Sequence, residues 1–147
     1  MMNIWEFSNQ LSQRLFRWNL LNILSGLWLA SRGGFWRGFG SQNIGWGIIN
    51  IAIAAVGSIM MRRRYKTLPD PNTPTIQRQE SRSLKRLLLL NAGLDIFYML
   101  GGWRFARSRT WNDYQAQGIG YGIIIQGLLL FIFDLTQAAQ VPPEVKS

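Results

Sequence analysis

Two long stretches of this chain carry no charged side chain, and their length constrains the fold more than any other feature. Residues 44–61, IGWGIINIAIAAVGSIMM, and residues 114–133, YQAQGIGYGIIIQGLLLFIF, are uncharged. A helix that crosses a bilayer needs about 17–25 mostly apolar residues, so each stretch predicts one crossing. Residues 18–31 are also uncharged, and residues 87–103 carry one charge, at Asp95. These two runs are shorter but extend into flanks whose long side chains can reach the interface, so we predict four membrane-spanning helices.

The four runs form an internal repeat. QNIGWGIINIAI at residues 42–53 resembles QGIGYGIIIQGL at residues 117–128, and LLN recurs upstream at residues 20–22 and 89–91. This alignment has an offset of 69 residues at Asn22 and Asn91 and of 75 at Gly45 and Gly120, and it pairs Asp95 with Gly26. Chance similarity between apolar helices is the alternative explanation. A duplication predicts two tandem helical hairpins that enter the membrane from the same side, as parallel repeats do.

The sequence therefore predicts one all-α membrane domain made of five segments. We predict an amphipathic interfacial helix at residues 1–17, hairpins at 18–61 and 87–136, a basic cytoplasmic linker at 62–86 and a cytoplasmic tail at 137–147. Residues 78–86 of the linker favour a short interfacial helix. For residues 1–17 the alternative is the cytoplasmic end of a long, tilted first helix.

Basic residues orient the predicted spans. Eleven Lys and Arg side chains lie in the N-terminal segment, the linker and the tail, against five in the two hairpin loops. The positive-inside rule places both termini and the linker in the cytoplasm. Arg62, Arg63 and Arg64 are expected to contact anionic lipid headgroups. The net charge of +9 would also suit a nucleic acid, but the basic residues flank apolar runs, so the bilayer is the predicted partner.

Each predicted span carries a stripe of small or polar residues, which lets helices pack closely within a membrane. The predicted packing glycines are Gly26, Gly47, Gly118 and Gly122. The predicted intramembrane polar cluster comprises Asn22, Asn50, Asn91, Asp95 and Gln126. With a helical rise of about 1.5 Å per residue, Asp95, Asn50 and Gln126 share a level near the midplane.

Asp95 allows two interpretations. It could carry a proton or bind a cation within the bundle, because an ionisable residue in a membrane is by default a functional candidate. Alternatively, an uncharged Asp95 could donate a hydrogen bond to Asn50, Gln126 or a backbone carbonyl and hold the hairpins together. We expect the second acid of this region, Asp134, to form an interfacial ion pair with Lys85 or Arg86.

The stretches GIGYGIIIQGLLLFIFDLTQA and NAGLDIFYMLGG resemble a family of small bacterial four-helix membrane proteins known as a domain of unknown function. The resemblance implies a bacterial inner-membrane protein and supplies no activity. The chain contains no Cys and no His, which excludes disulfides, thiolate nucleophiles and histidine ligands, and we expect neither an enzyme nor a cofactor. The favoured function is a structural or accessory role in a homo-oligomer or with other membrane proteins. The alternative is a small channel or transporter with a polar path centred on Asp95.

Overall fold

The computed structural model describes residues 2–108 and 113–142 and contains four long helices. They are α1 (Ile4–Ala30), α2 (Gly34–Thr67), α3 (Pro74–Arg107) and α4 (Tyr114–Gln140). Helix α1 packs along α2 and α3 packs along α4, so the chain forms two consecutive hairpins, and α2 also packs on α4. The predicted all-α class is confirmed, and the described residues contain no strand.

Helix α1 is continuous from Ile4 to Ala30 and begins at a well-defined cap. Asn3 caps it: the Asn3 side chain accepts a hydrogen bond from the Glu6 amide, while the Glu6 side chain accepts one from the Asn3 amide. This reciprocal capping box satisfies two of the free donors at the start of a helix. The predicted helix at residues 1–17 therefore continues into the first predicted span without a break, and its interfacial position stays a prediction.

Most of the expected linker is helical. Helix α2 continues through its three arginines to Thr67, and α3 begins at Pro74, a favoured residue in the first turn of a helix. Residues 68–73 connect the two helices. The polar composition of residues 62–86 predicted a loop, but long basic side chains are good helix formers, so both helices extend beyond their apolar runs.

The apolar end of the bundle at this connection is a compact cluster. Ile4, Trp5 and Phe7 are buried at its centre, and the Trp5 indole donates a 3.0 Å hydrogen bond to the Pro71 carbonyl. Side chains from every helix or its flank pack around them: Met2, Leu11, Met61, Leu68, Ile76, Leu84 and Val141. The first two turns of α1 thus pack against the ends of the other helices.

Elsewhere the usual distribution of side chains is reversed. Large apolar side chains such as Leu90, Met60 and Phe97 point outward, with Phe97 71% exposed, while asparagine, glutamine and glycine fill the interior. Helices α2 and α4 are long and apolar enough to cross a membrane by length and composition, whereas α1 and α3 do not reach that hydropathy. The structure thus supports two of the four predicted spans on this criterion.

Glycines bring the hairpins into contact. A Cβ at Gly38 on α2 would collide with the Gln115 carbonyl on α4, and a Cβ at Gly118 on α4 would collide with the Phe35 carbonyl on α2. The two contacts are reciprocal at an offset of 80 residues, as expected for two parallel helices related by a twofold axis that runs along them.

The same contacts define how the hairpins correspond. Gly47 faces the Asn19 carbonyl inside the first hairpin, and Gly127 faces the Asp95 carbonyl inside the second. Likewise, Gly26 faces Gly40 while Gly102 faces Gly120. The offset is 76 residues from α1 to α3 and 80 from α2 to α4, so the second loop is four residues longer. The sequence alignment had the wrong register, because Asp95 corresponds to Asn19 and not to Gly26.

Candidate functional site: the polar interior and the α2–α3 cleft

A glutamine on α4 joins three helices through its side-chain amide. Gln126 is 2% exposed, accepts a 2.8 Å hydrogen bond from the Asn22 amide on α1 and donates one of 3.1 Å to the Asn22 carbonyl oxygen. It also donates a 2.9 Å hydrogen bond to the carbonyl oxygen of Asn43 on α2. Gln126 therefore links the two hairpins at one point, and we call these three residues the amide cluster.

A second pair of amides lies about one turn nearer the N-terminus of α1. Asn50 of α2 donates a 3.2 Å hydrogen bond to the Asn19 side chain, and Asn19 donates one of 2.7 Å to the Leu15 carbonyl. This pair holds the first hairpin together. The predicted residues Asn22, Asn50 and Gln126 thus lie in two separate hydrogen-bonded groups, and the partners that the predicted cluster omitted are Asn19 and Asn43. Asn43 precedes Gly47 by four residues, so the helical spacing of the small and polar residues on α2 could have predicted that Asn43 faces the interior.

Asp95 has no such partner. Its side chain is 4% exposed, its Oδ2 atom makes no hydrogen bond, and neither Asn50 nor Gln126 is bonded to it. The amides of Asn50 and Gln126, expected as partners of Asp95, bond instead to Asn19, Asn22 and Asn43. The repeat supplies the reason: Asp95 occupies the place of Asn19, but the residue corresponding to Asn50 is Leu130, which cannot bond to it.

The packing glycines lie where helices cross. A Cβ at Gly26 would meet the Gly40 carbonyl at 2.7 Å, and one at Gly47 would meet the Ile23 side chain at 2.5 Å. A Cβ at Gly122 would meet Gln42 at 2.8 Å across the α2–α4 contact. Together with Gly118, these residues allow the close backbone approach that small residues provide in helix pairs.

A cleft of about 620 Å³ opens between α2 and α3 on one side of the bundle. Its lining is largely apolar, and α1 and α4 contribute residues to it as well as α2 and α3. The main lining side chains are Leu11, Leu15, Ile53, Met60, Met61, Leu84, Leu87, Leu88 and Phe133. Further from the connection between α2 and α3, the rings of Trp46 and Tyr98 contact each other with 5.0 Å between centroids and bridge the same two helices.

Asn91 and Asp134 are the polar groups in the inner part of this cleft. Asp134 is 8% exposed and makes no hydrogen bond or ion pair with any residue that the structure describes. The expected ion pair with Lys85 or Arg86 is therefore wrong, since those two side chains lie exposed on α3. Asn91 is half-buried and lies apart from the amide cluster, although the sequence grouped the two. Asp95 is close enough to Asp134 for their charges to interact.

The three arginines predicted to contact lipid lie at the open end of the cleft. All three are exposed on the last turns of α2, and Arg63 and Arg64 line the cleft directly. Arg64 forms a 2.6 Å ion pair with Glu80 of α3. Arg62 and Arg63 remain exposed, and the headgroup contact stays a prediction.

Replacing Asp95 by asparagine should leave the fold intact. We expect the free energy of unfolding of Asp95→Asn in detergent to equal that of the wild type or to exceed it by up to about 1 kcal/mol. No hydrogen bond is lost, and a buried ionisable group is replaced by a neutral one. Chemical unfolding followed by circular dichroism measures it, with Asp70→Asn in the exposed connection as the matched control. A loss above about 2 kcal/mol would show that Asp95 has a partner in the folded bundle.

These features define a class: an all-α bundle of two corresponding hairpins with an apolar exterior and an interior of amides and glycine. A family model covers residues 14–135 of the chain, and its description is a family of unknown function, DUF6992. The chain belongs to this family, which confirms the predicted membership in an uncharacterised family. No curated protein and no solved structure matches the chain significantly.

Proposed function

We propose that the chain is a non-enzymatic integral membrane protein in which all four helices cross the bilayer, and that it serves as a structural or accessory subunit of a homo-oligomer or a larger membrane complex. The observation that carries this proposal is the reversed distribution of side chains. Water would make the exposed band of Leu, Ile, Phe and Trp side chains unfavourable, whereas lipid would accept it. The buried amides satisfy one another, as a hydrocarbon environment requires.

The lengths of the helices support a bundle that crosses the membrane and projects beyond it. Helices α2 and α3 have 34 residues each, or about 51 Å, against about 30 Å for the hydrocarbon core. The apolar cluster around Trp5 and Phe7 would then lie outside the bilayer with the basic residues of the connection. By the positive-inside rule, this end is cytoplasmic in a bacterial inner membrane.

Outward-facing glycines support a role in assembly. Gly93 and Gly101 on α3 are separated by two turns, and a Cβ at either would meet no atom within 4 Å. The exposed Phe97 lies between them on the same face. Internal packing therefore does not explain these glycines. Small residues on an outer face allow another transmembrane helix to approach closely, from a second copy or from another membrane protein.

Native mass spectrometry of the protein, gently extracted from its own membrane, tests this role. We expect a complex with further polypeptides or copies, and we expect the double variant Gly93→Leu/Gly101→Leu to dissociate it at least tenfold more readily. Gly45→Leu is the matched control, since a Cβ at Gly45 also meets no atom within 4 Å. A monomer whose state the double variant does not change would contradict the assembly role. Release of the protein into the soluble fraction by alkaline carbonate would contradict the membrane location.

A second candidate is a small channel or transporter, and one observation favours it: two acids, Asp95 and Asp134, are buried, and the Oδ2 atom of Asp95 has no hydrogen-bonding partner. Ionisable residues inside membranes commonly mark ion or proton pathways. Flux measurements on Asp95→Asn in vesicles test it, and transport unchanged by this substitution would contradict it.

A further inference from the structure

The cleft between α2 and α3 combines apolar walls with one buried acid that nothing in the described fold neutralises. Asp134 lines the cleft, is more than nine-tenths buried and has no ion-pair partner in the described part of the chain. An isolated carboxylate in an apolar environment is unfavourable unless a cation accompanies it. Within the described part of the chain, no basic side chain of the cleft forms an ion pair with Asp134.

We propose that this cleft binds a hydrophobic organic cation, with the cationic centre against the Asp134 carboxylate and the apolar body between α2 and α3. Leu88, Phe133 and Ile53 line the same cleft as the acid and supply apolar contact surface for the body of the ligand. Asn91 lines the cleft as well. This site goes beyond the proposed assembly role, and its occupation does not require any protein partner.

The charges around the cleft favour a cation at this depth. Arg64 is neutralised by Glu80, and Arg63 is exposed to solvent, which screens its charge. Asp95 on α3 adds a second acid near Asp134. The cleft residues from α1 are uncharged, and Asp134 is the charged residue that α4 contributes. The inner cleft thus presents acids and amides, whereas the basic side chains lie at its rim.

The repeat explains why the cleft exists on one side of the bundle. On the opposite side, Arg14 of α1 donates hydrogen bonds of 2.9 Å and 3.1 Å to Gln137 and Gln140 of α4 and closes the gap between those helices. The residues corresponding to Arg14 and Gln137 on the cleft side are Leu90 and Gly57. Gly57 lines the cleft, and a Cβ there would meet no atom within 4 Å.

A cation can pair with Asp134 only when the group is a carboxylate, so a proton on the carboxyl competes with the cation. Where the cation displaces a proton, the O–H bond breaks, the proton leaves to water and the carboxylate forms the ion pair, with no electrons transferred. Affinity should therefore fall when the pH is low enough to protonate the carboxyl of the empty site, by up to about tenfold per unit.

Titration calorimetry with tetraphenylphosphonium on the full chain in an uncharged detergent tests the proposal. We expect saturable binding of one cation that weakens at low pH, and repeating the titration in buffers of different ionisation enthalpy measures any proton that the cation displaces. Asp134→Asn should weaken binding at least tenfold, whereas Asp70→Asn, the same change at an exposed position, should not. Tetraphenylborate, which has the same shape and the opposite charge, should not compete.

A steric variant keeps the proposal testable if Asp134→Asn fails to fold. Gly57→Phe fills the cleft and leaves the acid in place, so it should abolish binding, while Gly45→Phe on the same helix lies outside the cleft and should retain it. The proposal is overturned if the wild type does not bind the cation, if either Asp134→Asn or Gly57→Phe folds and binds like the wild type, or if tetraphenylborate competes equally well. The carbonate extraction above tests the membrane location separately.

Discussion

Replacing Gly38 by leucine should separate the two hairpins. At this position a side chain would collide with the backbone of α4 at the Gln115 carbonyl, and backbone cannot move aside as a flexible side chain can. Overpacked positions cost about 1–3 kcal/mol when neighbouring side chains adjust. We expect Gly38→Leu to exceed this range and to abolish the cooperative unfolding transition of the detergent-solubilised protein.

The reciprocal position and an open one provide the controls. Gly118→Leu should fail in the same way, because the mirrored contact at the Phe35 carbonyl is equally close, whereas Gly45→Leu on α2 should unfold like the wild type. If Gly38→Leu kept a normal unfolding midpoint, the α2–α4 contact would not be what joins the hairpins.

Replacing Gln126 by leucine should have the second-largest effect. The change leaves the side-chain amides of Asn22 and Asn43 buried without their hydrogen-bonding partner. Each unsatisfied buried amide costs about 1–3 kcal/mol. We expect the free energy of unfolding to fall by about 2–6 kcal/mol, measured by denaturant titration in detergent. Gln115→Leu, at an exposed position of the same helix, is the matched control and should change stability little.

A triple variant separates hydrogen bonding from packing. When Asn22 and Asn43 are also replaced by leucine, no amide of the cluster remains unpaired, and stability should recover in part. A triple variant less stable than Gln126→Leu would show that side-chain volume, and not the stranded amides, accounts for the loss.

The sequence predicted the composition of the interior better than its pairing. Glycine and amide stripes at helical spacing indicated which faces meet, and the structure places Gly26, Gly47, Gly118 and Gly122 at helix crossings. The register of the repeat was missed because the LLN triplets align in letters but lie at different heights in the two hairpins. Consequently Asp95 was compared with the wrong residue, and the absence of its partner could not be anticipated.

The pattern of apolar and charged residues also failed to predict where α2 ends. The charged residues after Met61 ended the apolar run and predicted a loop, yet α2 continues to Thr67 and ends where the extended Leu68 precedes Pro69. The position of Asp134 depended in the same way on tertiary packing. Antiparallel helices bring it to the level of Leu88 in the cleft, but the rotation of α3 turns Lys85 and Arg86 outward.

The cluster around Trp5 has a consequence for the order of biosynthesis. Its central side chains come from the first turns of α1, but their partners include Ile76, Leu84 and Val141. The ribosome must therefore have made both hairpins before the first turns of the chain acquire their native neighbours. Until then Ile4 and Phe7 lack part of the apolar surroundings that bury them in the folded chain.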